Sequence, residues 1–351
     1  MIDVKEETNS YLSNFARFEN ESAHDGHAWL HRLRKAALKR FTELGFPLTR
    51  NEDWKFTNVA PIAKIPFRSV ASEDKSGVTA EVLKRAVVAI QDSVQLVFIN
   101  GRYAPELSLR PPLPHGVILT SLAAALHAHP DLVEPHLARY AAYQDHAFTA
   151  LNTAFIEDGA FVFVPAGVVV ELPIHLMFVT TSAGEGTVSH PRNLIIAGTE
   201  SRASIVETYT GLEEDVYFTN AVTEVLADDR AKIDHYKLQR ESTEAFHVAT
   251  LQVRQQQRST FSSGYLGFGG ALVRNEVRAT LDGEQCECTL NGLYMAGGRQ
   301  HMDNHTVIDH AKPHCASHEL YKGILDGHAH GVFNGKIFVH QDAQKTDAKQ
   351  T

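Results

Sequence analysis

Residues 301–350 read HMDNHTVIDHAKPHCASHELYKGILDGHAHGVFNGKIFVHQDAQKTDAKQ, short segments in which small or apolar side chains alternate with polar ones, broken at Pro313 and at Asp326-Gly327. Alternation with a period of two between turn residues is the pattern of a strand. The CASHELYK that starts at Cys315 has a counterpart one unit back, CECTLNGL at Cys286. Further back stand STFSSGYL at Ser259, AKIDHYKL at Ala231 and ASIVETYT at Ala203. The unit is about 28 residues long, which suits one coil of a stacked solenoid. Each unit carries a second strand roughly 14 residues later, from Tyr217, Ala245, Val273, Gln300 and Ala329. Two strands per coil, no helix between them, and Asp228-Asp229, Asp282-Gly283 and Asp326-Gly327 at the junctions predict a mainly β chain. The expected architecture is a right-handed parallel β-helix over residues 151–351. A cupin-like barrel is the competing all-β architecture, and it would not repeat in register through five units.

Residues 1–150 predict a helical and mixed α/β region. Leu30, Leu33, Ala37, Phe41 and Leu44 recur at steps of three and four, one apolar stripe of a helix that Gly45 and Pro47 end. Val94–Ile99 reads as a strand entering an Asn100-Gly101 turn, a strong hairpin signal. Leu122–Ala150 is alanine-rich and interrupted by Pro130 and Pro135, which predicts two or three short helices. Beyond Phe155, apolar runs separated by Pro165-Ala166-Gly167 and Leu172-Pro173 replace them.

The repeat register assigns side chains to faces. In the first strand of each unit, the column Ala203, Ala231, Ser259, Cys286, Cys315 and the column Ile205, Ile233, Phe261, Cys288, Ser317 are small or apolar, so both turn inward. Cys286, Cys288 and Cys315 are therefore expected in the lumen, with Cys286 and Cys315 stacked on adjacent coils. Buried thiols often merely fill a core, whereas soft thiolates also suit the handling of sulfur or of an iron-sulfur cluster. In the second strands, Met302, Asn304, Thr306 and Ile308 continue the inward column of Val273, Asn275, Val277 and Ala279. His301, Asp303 and His305 then form an outward row, a candidate metal site or partner face, with His330 beside His301. Alternate residues on a strand stand about 7 Å apart, too far for the three to close on one zinc unaided. The register expects both outward histidines to be dispensable to the fold, and His310 and His314 to sit at an exposed corner near Pro313.

The C-terminal third also carries an ordered set of short motifs: Asp303 to Thr306, His310 to Ser317, Tyr321 to Gly323, Gly331 to Lys336 and Ala343 to Ala348. Together they resemble the core of the SufB/SufD family. Arg50-Asn51-Glu52-Asp53-Trp54-Lys55-Phe56-Thr57 is similar to the signature near the start of SufD rather than SufB. Trp54 and Phe56 read most simply as anchors for their loop. The resemblance implies a β-helix scaffold of the SUF iron-sulfur cluster assembly system, non-catalytic itself, pairing with a SufB-like β-helix and a SufC-like ABC ATPase. A homodimer is the expected state in isolation. No tightly bound cofactor is expected, only an iron-sulfur cluster shared transiently with the partner. Family members continue past the Ala343–Ala348 motif, so the sequence reads as C-terminally truncated, and its late Cys-x-His-Gly segment has no counterpart here.

Composition agrees with that reading. A chain of 351 residues with a net charge of −9 and a pI near 6.1 lacks the concentrated cations a nucleic-acid binder needs. Three cysteines, an odd number, fit free thiols in a reducing compartment. The start MIDVKEETNSYLSNF is acidic and polar with no signal-peptide pattern, and no run reaches the ~18 apolar residues of a membrane span, so a cytoplasmic location is expected. Gly335-Lys336 is followed by Ile337, not the hydroxyl residue of a phosphate loop, which assigns ATP hydrolysis to a partner. The rival functions, a β-helix enzyme acting on carbohydrate and a cupin-like metal enzyme, call for a carboxylate groove or a converging histidine set respectively.

Overall fold

The computed structural model describes residues 4–21, 27–69, 78–181 and 186–351. Two sheets face each other across a closed lumen. The first runs in the order His330–Val339, His301–His310, Leu272–Leu281, Phe246–Gln255, Tyr217–Ala227, Arg192–Ala197, Ala160–Val164, Ile118–Ser121. The second runs Asp347–Gln350, Ala316–Leu325, Glu287–Ala296, Thr260–Gly269, Lys232–Glu241, Arg202–Gly211, Ile174–Thr180, Val94–Ile99, Arg102–Tyr103. Within each sheet successive solenoid strands are parallel. Antiparallel pairs close the far end, Ile118–Ser121 on Ala160–Val164 and the Asn100-Gly101 hairpin, whose two turn residues take the positive φ of 49° and 85° that such a turn requires. The expected parallel β-helix is thus present. Its sheets also take in Val94–Ile99, which lies along Ile174–Thr180.

The coils turn inward residues from both sheets into one apolar cluster that includes Ile205, Ile233, Phe261, Val277, Ala279, Leu290 and Ile308. The register reproduces the expected pairing of Val273, Asn275, Val277 and Ala279 with Met302, Asn304, Thr306 and Ile308. Both columns need correction at their first member. Ile233 pairs with Ala203, so Ser201 and not Ala203 heads the column that continues through Ala231, Ser259, Cys286 and Cys315, and Ala203 and not Ile205 heads the one through Ile233, Phe261, Cys288 and Ser317. Between paired residues the stretch 211–217 is two residues longer than its counterpart 241–245, so the first coil outruns the repeat by two residues. A slip of two keeps every side chain on the same face.

One corner of every coil is turned by a residue other than glycine in the left-handed region: Glu200, Arg230, Arg258, Gln285 and His314, with φ between 57° and 63°. Each donates its N–H to a carbonyl of the following coil, Asp229, Gln257, Glu284, Pro313 and Gln344 in turn, so the strain of each corner is offset by an intercoil hydrogen bond.

The helical region lies on the outer face of the first sheet. Ala28–Leu44 buries Leu30, Ala37 and Phe41, and Gly45 at φ 63° donates to the Phe41 carbonyl, ending the helix as expected. The expected short helices are Leu122–Ala128, Pro130–Val133 and Ala147–Ala154. Tyr11, Phe41, Phe46, Phe67, Phe148 and Phe155 pack with the outward Phe218, Phe246 and Leu272 of the sheet. A buried Arg192–Glu224 ion pair, 2.7 Å and wholly excluded from water, moors the same region, because Glu224 also accepts the N–H groups of Ala138, Tyr140 and Ala141.

Candidate functional site

The outward row of the His301–His310 strand is where the N-terminal region grips the solenoid. Residues 52–54 form a short turn of 3-10 helix that brings Trp54 over Arg274, whose guanidinium carbon stands 4.4 Å from the ring centre. Arg274 donates to the Asp53 carbonyl at 3.0 Å and to Asp303 at 2.5 Å. Asp303 also accepts from Thr57, and pairs with His305 at 3.0 Å. Burial works to raise the pKa of Asp303, yet the hydrogen bond from His305 and the charge of Arg274 prevail and hold it below the usual carboxylate range. Lys336 of the next strand reaches the Asp53 carboxylate at 2.5 Å.

His301, Asp303 and His305 thus face away from the lumen as the register requires, but they are not open to solvent. Asp303 is 1% exposed and His305 7%, because residues 53–57 cover them. Outward in the register is therefore not the same as exposed for Asp303 and His305. The row is a string rather than a ring: His301 meets Thr57 Oγ1 at 2.8 Å and the stacked ring of His330, Asp303 meets Arg274, and His305 meets Asp303. Among the described residues no three His, Cys, Asp or Glu side chains converge as a metal-holding group. Phe56 remains 57% exposed, so only Trp54 of the two aromatics serves as an anchor.

The thiols lie where the register puts them. Cys286, Cys288 and Cys315 are buried and free, facing the lumen at the corner after Asp282-Gly283. Cys288 pairs in register with Ser317, and Cys286 precedes the Glu287–Ala316 pair. Burial pushes the Cys288 thiol well up. His310, expected at an exposed corner, is fully buried instead: the His301–His310 strand ends with its ring inward, 2.9 Å from Ser317 Oγ. His314 at the turn is exposed as expected.

Sequence reasoning missed a second set inside the lumen. Glu207, His235, Lys237, Gln239, Glu241 and His247 all occupy inward positions and are buried. Glu207 accepts from Tyr209 at 2.7 Å and Thr223 at 2.8 Å and faces His235 at 3.2 Å. Burial would raise the Glu207 carboxyl, but His235, Tyr209 and Lys237 together bring it down to about 2. Lys237 sits between the Tyr209 and Tyr265 rings and donates to Asn275 at 3.0 Å. Burial lowers its ammonium to about 8, against the pull of Glu207 and Glu241. Glu241 pairs with His247 at 2.7 Å, and burial keeps that imidazole on the neutral side. The signal was in the Ile233–Glu241 run, where ionisable residues stand at the inward parity.

The described residues thus form a parallel solenoid with polar side chains sunk in its lumen and a helical region packed on one face. Residues 178–351 match the family model described as SUF system FeS cluster assembly, SufBD core domain, and residues 5–176 match the SufBD protein N-terminal region. The chain is 30% identical to an iron-sulfur cluster assembly SufBD family protein of Synechocystis over 90% of this chain and 71% of that one. It is 28% identical to the iron-sulfur cluster assembly protein SufD of Escherichia coli, with 90% and 71% covered, and 28% identical to SufD of Bacillus subtilis, with 97% and 77% covered. It is 26% identical to the iron-sulfur cluster assembly protein SufB of Bacillus subtilis, with 80% of this chain and 59% of that one covered. The chain belongs to the SufBD family of iron-sulfur cluster assembly proteins. Among the described residues no helix is long and apolar enough to cross a membrane.

Proposed function

We propose that the chain is the SufD-like subunit of a SUF assembly complex, a non-catalytic scaffold that pairs edge to edge with a SufB-like β-helix and is worked by a SufC-like ABC ATPase. The observation that carries this is the pair of family matches spanning residues 5–176 and 178–351, with named SufD proteins among the relatives covered over most of their length. The Arg50–Thr57 segment, similar to the signature near the start of SufD, supports the SufD side. The iron-sulfur cluster is cargo, shared transiently with the partner and not held tightly by this chain. The location that follows is cytoplasmic.

Co-expression with SufB-like and SufC-like chains tests the proposal. A stable complex is expected, with iron and sulfide yield falling when this chain is omitted. The purified chain alone is expected to show no ATP turnover above a buffer blank. Turnover by the isolated chain, or a full cluster yield without it, overturns the assignment.

A further inference from the structure

Cys286 and Cys315 are more than two fillers of one column. The backbone ladder runs unbroken past both, from Gln285 N–H to the Pro313 carbonyl and from Ala316 N–H to the Cys286 carbonyl, so the two residues sit side by side on successive coils. Parallel neighbours stand about 4.8 Å apart, inside the Cα separation of about 4.4–6.8 Å that a disulfide spans. Their sulfurs converge: each lies 3.2 Å from the same oxygen, the carbonyl of Gly283. Each thiol shifts the acidity of the other, and His310 acts on Cys315 as well. Cys288 is set apart, one pleat along and in register with Ser317. The corner that carries the pair is at the surface, with Glu284, Gln285 and His314 exposed next to it.

We propose that Cys286 and Cys315 form a peroxide-responsive dithiol, which hydrogen peroxide converts reversibly into a disulfide joining two adjacent coils while Cys288 stays reduced. Cys315 is the attacking sulfur: the neighbouring Cys286 and His310 favour its thiolate, whereas the same neighbour and burial push the Cys286 thiol up. The Cys315 thiolate attacks one peroxide oxygen, the O–O bond breaks, and a sulfenic acid forms with release of hydroxide, which takes up a proton. The sulfur of Cys286 then attacks the sulfenic sulfur and its proton leaves with the hydroxyl as water. In total two thiols and one hydrogen peroxide give one disulfide and two waters, and two equivalents of an external thiol reverse the change. This inference stands independently of the SufD-like assignment, since it rests on two residues and their coil register.

The test exposes the intact native chain to hydrogen peroxide, blocks remaining thiols with N-ethylmaleimide in denaturant, and maps the peptides by mass spectrometry. The expected product links Cys286 to Cys315, leaves Cys288 alkylated and reverts with dithiothreitol. In Cys286→Ser, dimedone is expected to trap Cys315 as its sulfenic acid. In Cys315→Ser, loss of the Cys286 thiol is expected to slow at least tenfold. Cys288→Ser, whose residue takes no part, is expected to form the link at the rate of the native chain. A link involving Cys288, preferential oxidation of Cys288, or thiol loss only after circular dichroism shows unfolding each overturns the proposal.

Discussion

Replacing Asp303 with Ala tests the grip between the N-terminal region and the solenoid. The carboxylate is 1% exposed and answers Arg274, Thr57 and His305 at once. With charge centres about 4 Å apart and an effective dielectric of about 20, the ion pair alone is worth about 4 kcal/mol. Removing one member of a buried pair costs about 3–5 kcal/mol, since the other charge stays buried. Arg274 keeps the Asp53 carbonyl at 3.0 Å and the Trp54 ring at 4.4 Å, which places the expected loss near the lower bound, about 3 kcal/mol. The chain has two tryptophans, so in a Trp29→Phe background Trp54 alone reports the grip during a urea titration. The Trp54 midpoint is expected to fall while the circular dichroism of the solenoid persists, a local opening before the global one. The double variant Arg274→Met with Asp303→Leu removes both charges and is expected to recover to within about 1 kcal/mol of the parent. A cost below about 1 kcal/mol for Asp303→Ala, or a double variant as weak as the single, would refute the reasoning.

Phe56→Ala is expected to change stability by no more than about 0.5 kcal/mol, while His305→Ala costs about 1 kcal/mol through the lost bond to Asp303, both read from chemical denaturation. Lys237→Met leaves Glu207 and Glu241 without their buried cation and is expected to destabilise by about 3 kcal/mol; a stability unchanged from the parent would show the lumenal charges are not coupled. Acid should unfold the protein. His175 and His190 are depressed by burial to about 4 and about 3, and Glu207 and Glu276 are held at about 2. In every case the unfolded chain binds the proton more readily, so stability falls as pH drops from about 6.5 through 2, and a melting temperature that rises over that window contradicts the assignment.

The inward columns were legible because a strand has a period of two and the coils repeat near 28 residues; even the slip at Ser201 preserved their facing. The grip was not legible. Asp53 and Arg274, Thr57 and Asp303, and Asp53 and Lys336 lie 221, 246 and 283 residues apart, and no local pattern carries such distances. Outward could be read from the register, but exposed could not, since exposure depends on what another segment lays on top. His310 shows the same limit in reverse: proximity to Pro313 suggested a surface corner, yet the strand runs on to place its ring beside Ser317.

The left-handed corners at Glu200, Arg230, Arg258, Gln285 and His314 have a consequence for how this chain can change length. Each occupies the same place in its coil and donates to the carbonyl one residue before that place in the next. A deletion that joins one such residue to the residue after its successor, Arg230 to Ser259 for example, would excise a whole coil as a cassette and leave the parity of every strand intact. A cut of the same size made anywhere out of phase would bring a strand where a corner should be. The solenoid can be shortened or lengthened in whole steps, and only there.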